Sequence, residues 1–301
     1  MEKGNIAAII LTYNEEKHIE RCLANAKLYA SEIFVVDSYS QDRTVEIAQS
    51  LDVTVLQNRF VSHSAQFNWA LKNCPITAEW VWKQDADEYL SLDLIEQIKE
   101  QTRSCEPDVN GFTAPCLRIF LGKYIKHGIV PLVLLRLIRK GYGSCETKIM
   151  DEHLRIYSGR IIDLQAPFYD DNLNDLTWWT NKHNAYASKE AIELLLMEYV
   201  TSKEEELVNS GQHSAYVRRK KLKYIRLPLF WRAFFFFILR YIFRLGFLDG
   251  KEGFLWHFLQ GFWYRALADA KVFEIKRRFR FDDVAIKQYL IENYVHTTTN
   301  E

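Results

Sequence analysis

The 301-residue sequence has no cysteine pairing pattern, no excess of charge and no long apolar run. Its five cysteines (Cys22, Cys74, Cys105, Cys116, Cys145) are odd in number, scattered and never spaced C-x-x-C. That indicates neither a disulfide framework nor a zinc site, and buried reduced thiols are expected. Lys and Arg total 39 and Asp and Glu total 39, while 48% of residues are hydrophobic. This balance excludes a disordered tail protein and a free-standing nucleic-acid binder. The apolar run at residues 6–11 is too short for a secretory h-region and leads into polar residues, so a cytoplasmic protein is expected. The best candidate for a membrane span, residues 230–248, is broken by Arg232, Arg240 and Arg244. A span needs roughly 20 apolar residues, and none is expected here.

The zero net charge conceals an asymmetry. Residues 218–280 carry sixteen Lys or Arg against four acids, and residues 228–264 hold fifteen of the 43 Phe, Trp and Tyr. The C-terminal third is therefore a different kind of surface from the rest.

The first hundred residues alternate short apolar runs with amphipathic stretches, the pattern of a parallel sheet with helices on both faces. Strands are expected at 6–11, 33–36, 53–56 and 80–83. Asn14 can cap a helix to about residue 28, Asp42 one to about 50, Ser62 or Ser64 one to about 73, and Ser91 or Asp93 one to about 103. Shorter mixed segments follow, with strands at 112–119 and 133–138 and a turn at Gly141-Tyr142-Gly143. Residues 175 to about 210 read as helical, and two basic aromatic helices are expected at about 223–245 and 253–276.

Ligands of open parallel sheets bind beyond the carboxyl ends of the strands. Polar residues stand at those ends: Thr12-Tyr13-Asn14-Glu15 after the first strand, Asp37-Ser38 after the second, and Asp85-Ala86-Asp87-Glu88 after the fourth. Asp85 and Asp87, at alternate positions leaving a strand, form a pair able to hold Mg²⁺ or Mn²⁺ and through it a diphosphate. Asp37 fits two roles equally, acceptor to a nucleoside or cap of the following turn. Neither a G-x-G-x-x-G nor a P-loop is present.

The ordered segments Ile9-Ile10-Leu11-Thr12-Tyr13-Asn14-Glu15-Glu16, Val35-Val36-Asp37-Ser38-Tyr39-Ser40-Gln41-Asp42-Arg43-Thr44 and Gln84-Asp85-Ala86-Asp87-Glu88 resemble the three motifs of family 2 glycosyltransferases. The chain is similar in particular to the bacterial branch that builds lipopolysaccharide cores and other surface glycans. The resemblance continues through Phe120-Leu121-Gly122-Lys123, His127-Gly128, Leu135-Arg136-Leu137-Ile138-Arg139, Asp151-Glu152-His153 and Gly246-Phe247-Leu248-Asp249-Gly250. It implies an α/β GT-A fold, a Rossmann-like, mainly parallel sheet with helices on both faces, plus a C-terminal helical extension. A catalytic domain at 1–215 is expected, with a nucleotide-sugar half to about 104 and an acceptor half from about 105, followed by the extension at 216–301.

The resemblance also implies roles. Thr12 and Asp37 would hold a uridine-type nucleoside with Tyr13 and Glu15 nearby, while Asp85, Ala86 and Asp87 would meet the metal and the diphosphate of a nucleotide-sugar donor. Gln66 and Asn68 match polar positions that face the donor or else a solvated helix side. The acidic pair Glu152 and Asp151 matches the motif that supplies the base, Glu152 being the first choice. His153 is a metal ligand, a phosphate contact or a structural hydrogen-bonder. Arg136 and Arg139 either face developing diphosphate charge or lie on the surface. Tyr39 and Gln41 depart from the pattern, standing where Gly and Thr are common, and Gln84 replaces an apolar residue.

The implied reaction is inverting transfer of a sugar to a lipid-linked acceptor. The basic aromatic tail reads as an anionic-membrane contact, with packing on the catalytic domain as the alternative. Two rivals are a sugar nucleotidyltransferase, which would carry a Gly-rich basic loop after its first strand, and a catalytically degenerate membrane-docking scaffold.

Overall fold

The computed structural model describes residues 5–146, 153–200 and 224–295. The chain forms two compact units, one of Met1–Tyr124 with Val130–Leu173 and the other of Ile125–Ile129 with Asn174–Glu301.

In the first unit, β1 (Ile6–Thr12) is buried along its whole length and lies between β2 (Glu32–Asp37) and β4 (Trp80–Asp85), parallel to both. The alternation of a strand divides its side chains. Ile6, Ala8 and Ile10 pack on one face with α1 (Ile19–Ala26), and Ala7, Ile9 and Leu11 pack on the other with α3 (His63–Asn73). β3 (Thr54–Gln57) adds parallel to β2 and is preceded by α2 (Thr44–Ser50).

Beyond β4 the sheet becomes mixed. β8 (Leu132–Arg139) runs antiparallel to β4, and β6 (Val109–Phe120) runs antiparallel to β8. β12 (Phe168–Asp171) lies parallel to β6 and carries β5 (Glu88–Leu90) antiparallel on its far side. β7 (Lys123–Tyr124) and β11 (Arg160–Asp163) pair with β6, while β9 (Gly143–Cys145) and β10 (Leu154–Ile156) form a separate ribbon.

Ser62 and Ser91 cap α3 and α4 (Leu92–Ser104) as expected, accepting from the Ala65 and Leu94 amides. Asn14 does not cap α1. Its φ of 56° lies in the left-handed region that Asn tolerates, and its side-chain oxygen accepts from the Gln41 amide in the neighbouring loop. The helix therefore starts later, at Ile19.

The second unit is helical. Asp175 caps α5 (Leu176–Tyr199) by accepting from the Trp178 amide. Ala191, Leu194 and Leu195 of α5 share a core with Val272 of α8 (Tyr264–Arg278) and with Ile286 and Leu290 of α9 (Asp283–Leu290). α5 thus packs with the C-terminal helices, which is why the compact boundary falls before it. α6 (Trp231–Ile238) continues as a π-helical turn, Leu239–Phe243, then a 3₁₀ turn, Gly246–Asp249, and α7 (Gly250–Trp256), which a second π stretch, His257–Trp263, joins to α8.

Two segments of the family resemblance meet in this unit. Asp249 accepts from the amides of Lys126 and His127 at 2.9 and 2.8 Å and from His127 Nδ1 at 2.7 Å. Gly128, at φ +73°, has room only for hydrogen, since a Cβ there would lie 2.4 Å from the His257 ring and 2.6 Å from the Arg240 carbonyl. Both motifs are structural. The start of the basic stretch, Arg218-Arg219-Lys220-Lys221, lies outside the described residues, as do Asp151 and Glu152. No helix among the described residues is long and apolar enough to cross a membrane.

Candidate active site

Strand register brings three distant segments of the first unit to one sheet edge. Thr12 pairs with Asp37 across β1 and β2, and Leu11 pairs with Asp85 across β1 and β4. The carboxyl ends of all three strands therefore coincide, where an open α/β sheet receives ligands.

Asp37 is fully buried at this edge. Its Oδ1 accepts from Thr12 Oγ1 at 3.0 Å and from the Ser40 hydroxyl, and its Oδ2 accepts from the Ser40 amide at 2.9 Å and Gln57 Nε2 at 3.2 Å. Four donors compensate the buried carboxylate and tie the loop ends together. The contacts with Ser40 include those of a cap on the next turn. The loops above it present Tyr13 and Tyr39, which are 56% and 51% exposed. Tyr39 has φ 60°, a left-handed conformation that glycine adopts most easily.

Asp85 ends β4 with its side chain 36% exposed, 3.5 Å from Lys83 Nζ and 3.3 Å from Arg136 Nη2. Burial works against its charge, but Lys83, Arg136 and His63 outweigh that and hold its carboxyl well below the usual range. Arg136 also binds Glu88, whose other oxygen accepts from the Asp85 amide at 3.1 Å. Burial pushes the Glu88 carboxyl up, Arg136 opposes this, and Asp85 adds to it. An arginine does not release its proton in a protein, so the guanidinium is the fixed charge of this trio and Glu88 is the member able to take up a proton. Gln84, unexpectedly polar before the motif, is buried and joins the Tyr29 hydroxyl to the Glu88 carbonyl.

Asp87 is partly exposed, and its Oδ2 accepts from Asn172 Nδ2 at 3.0 Å. Asn172 follows β12 and is held there from α1 and the residue before it. Arg21 binds the Asp171 carboxylate at 2.5 Å and the Asp171 carbonyl at 2.6 Å. His18 Nε2 accepts from the Leu173 amide at 2.8 Å while its Nδ1 donates to Glu15 at 2.6 Å. Sequence reasoning missed Lys83, Glu88, Arg21, His18 and Asn172. Glu88 alone carried a signal, as an acid directly after the motif.

The remaining sequence-derived residues divide. The Ala86 methyl is buried in the core, leaving only its backbone for a ligand. Gln66 is buried rather than solvated: it donates to Ser38 Oγ at 3.1 Å and the Asn58 carbonyl at 3.2 Å and accepts from Asn58 Nδ2 at 2.8 Å. Asn68 pairs both ends of its amide with the Cys145 backbone at 2.8 Å, completing β9 instead of facing the site. Arg139 stands at the opposite end of β4 from Asp85, stacked 4.6 Å over the Trp80 ring and bound to Glu79. It neither faces the diphosphate position nor lies free on the surface. His153 is exposed and accepts the Glu146 amide through its carbonyl.

Asp85 and Asp87 suit a hard divalent cation, which takes one or two carboxylates and completes its shell with water and substrate phosphate. Among the described residues no group of three or more His, Cys, Asp or Glu is arranged to hold a metal.

Residues 7–144 match the family model Glycosyl transferase family 2. Over that segment the chain is similar to family 2 glycosyltransferases. An uncharacterised glycosyltransferase of Rickettsia typhi is 28% identical over 288 residues, spanning 91% of this chain and 89% of the relative. A second, from Rickettsia bellii, is 39% identical over 94 residues, 31% of each chain. Among solved structures, a mannosyltransferase from Pyrobaculum calidifontis in complex with GDP-Man and Mn²⁺ is 17% identical, with a TM-score of 0.49 over 91% of this chain and 88% of that one. The α/β, GT-A-like fold implied by the motifs is the one observed, with a mixed sheet and a helical C-terminal region.

Proposed function

We propose that the protein is a metal-dependent, inverting glycosyltransferase that moves a sugar from a UDP-linked donor to a lipid-linked bacterial surface glycan, such as lipopolysaccharide core, O-antigen or capsule. It would work at the cytoplasmic face of the membrane. The observation that carries the reading is the convergence of Thr12, Asp37 and Asp85 at one sheet edge.

In this reading the nucleoside lies against the Tyr13 and Glu15 loop, whose shape Asp37 and Thr12 maintain. Asp85 and Asp87 hold Mn²⁺ or Mg²⁺, with His153 as a further contact. The ion supplies charge neutralisation for the leaving diphosphate. Lys83 and Arg136 add fixed positive charge beside Asp85. The acceptor hydroxyl attacks the anomeric carbon as the bond to the diphosphate breaks, and its proton passes to Glu152 or Asp151. A thermal-shift screen of nucleotide sugars with Mn²⁺, followed by transfer assays of Glu152→Gln and Asp151→Asn, tests this. Full activity in both variants would remove the acidic pair from the chemistry.

A further inference from the structure

The helix formed by α6 and its π-helical continuation is inside-out. Its buried side carries Arg232, Ala233 and Arg240, and its exposed side carries Trp231, Phe235, Leu239 and Phe243 at four-residue spacing. Phe243 is 75% exposed, Phe235 62% and Trp231 60%.

Both buried arginines are hydrogen-bonded. Arg232 Nε donates to Asp269 Oδ1 at 2.8 Å, and Asp269 Oδ2 accepts the Phe230 amide at 2.8 Å. Arg240 Nε donates to the Gly128 carbonyl at 3.1 Å, and its Nη1 meets Gln260. Two of the three charges that interrupt a membrane span in the sequence, Arg232 and Arg240, are thus turned inward, while Arg244 stays exposed with the aromatic groups. Scattered exposed apolar residues are ordinary on a soluble protein, whereas a contiguous aromatic stripe marks an interaction surface.

Charge identifies the partner. Among the described residues of 224–263, the exposed charges are Arg226, Arg244 and Lys251, while Asp249 is buried and Glu252 is half-buried. Beside the stripe, Tyr241, Phe247 and Phe254 line an open apolar groove of about 560 Å³ with Lys251 at its side. Aromatic groups with cations and no exposed acid fit the boundary between lipid headgroups and acyl chains, with anionic headgroups meeting the cations. The geometry points to this face as a shallow insertion surface for an anionic bilayer. The inference rests on the membrane placement proposed above but is independent of sugar transfer.

Flotation of the full chain with phosphatidylcholine vesicles, with and without phosphatidylglycerol, tests the assignment. The wild type is expected to float with the mixed vesicles. Combined Trp231→Ser, Phe235→Ser and Phe243→Ser should weaken binding by about 10-fold or more, and Lys251→Gln by roughly five-fold. Brominated lipid should quench the wild type more than Trp231→Phe, a readout that retains the apolar face. Equal flotation of the wild type and the triple variant would place membrane binding elsewhere and overturn the inference while leaving the membrane reading intact. No flotation at all would overturn both. A wild-type dimer that the triple variant dissolves would make the face an interface between copies and overturn it too.

Discussion

Arg136 reaches from β8 to Asp85 at the end of the adjacent antiparallel β4, with Nη2 3.3 Å from Oδ2. The same guanidinium binds Glu88, and all three side chains meet where the D-x-D segment leaves the sheet. The first carboxylate of that segment is therefore set by a charge from the neighbouring strand.

Removing that charge leaves the buried Glu88 carboxyl without its partner. Arg136→Met is expected to destabilise the protein by about 3–5 kcal/mol, because breaking a buried ion pair strands the remaining group. Adding Glu88→Gln should restore part of the loss. Urea unfolding of the single and double variants measures both, and an unchanged midpoint for Arg136→Met would show that the trio does not order Asp85.

Asn172 fixes Asp87 from β12. A neighbour that orients a metal-binding carboxylate typically contributes 10–100-fold in affinity. Asn172→Ala should thus raise the Mn²⁺ concentration needed for UDP binding by about 10-fold, with the melting temperature nearly unchanged. The same metal dependence in wild type and variant would reduce Asn172 to a structural contact.

His257 gives the helical unit a pH dependence. Burial, then the Arg240 charge, lowers its pKa to about 4, against the opposing pull of the His127 carbonyl and Asp249. The unfolded chain therefore binds a proton at His257 between about pH 6.5 and 4 while the folded chain does not. Stability from this group is complete above that window and falls as pH drops through it, by on the order of 3 kcal/mol. Thermal melts from pH 7 to 4 should show the loss, and His257→Asn should flatten the slope.

The shared edge of the candidate site was legible in the sequence because it depends on local order. Ile6 to Leu11 alternate between two cores, and their burial makes β1 central, so the residues that end β1, β2 and β4 must share an edge. The supports were not legible, because they depend on register between distant strands. Nothing near Asp87 in the chain announces Asn172, 85 residues away. Gln66 and Asn68 stayed open between the donor and a solvated helix side because polar side chains on a helix do not reveal which face is buried. The C-terminal helix showed the same ambiguity: the spacing of Arg232, Arg240 and the aromatics was visible, but Asp269 and the Gly128 carbonyl decide which set turns inward.

In the proposed function, the D-x-D segment at the end of β4 holds a metal–nucleotide complex. Calorimetry of UDP binding with and without Mn²⁺, on the wild type and Asp87→Ala, tests it most directly. The wild type should bind UDP in a Mn²⁺-dependent manner, and the variant should lose that affinity by about 100-fold or more. Equal Mn²⁺-dependent binding by the two proteins would show that Asp87 does not hold the metal.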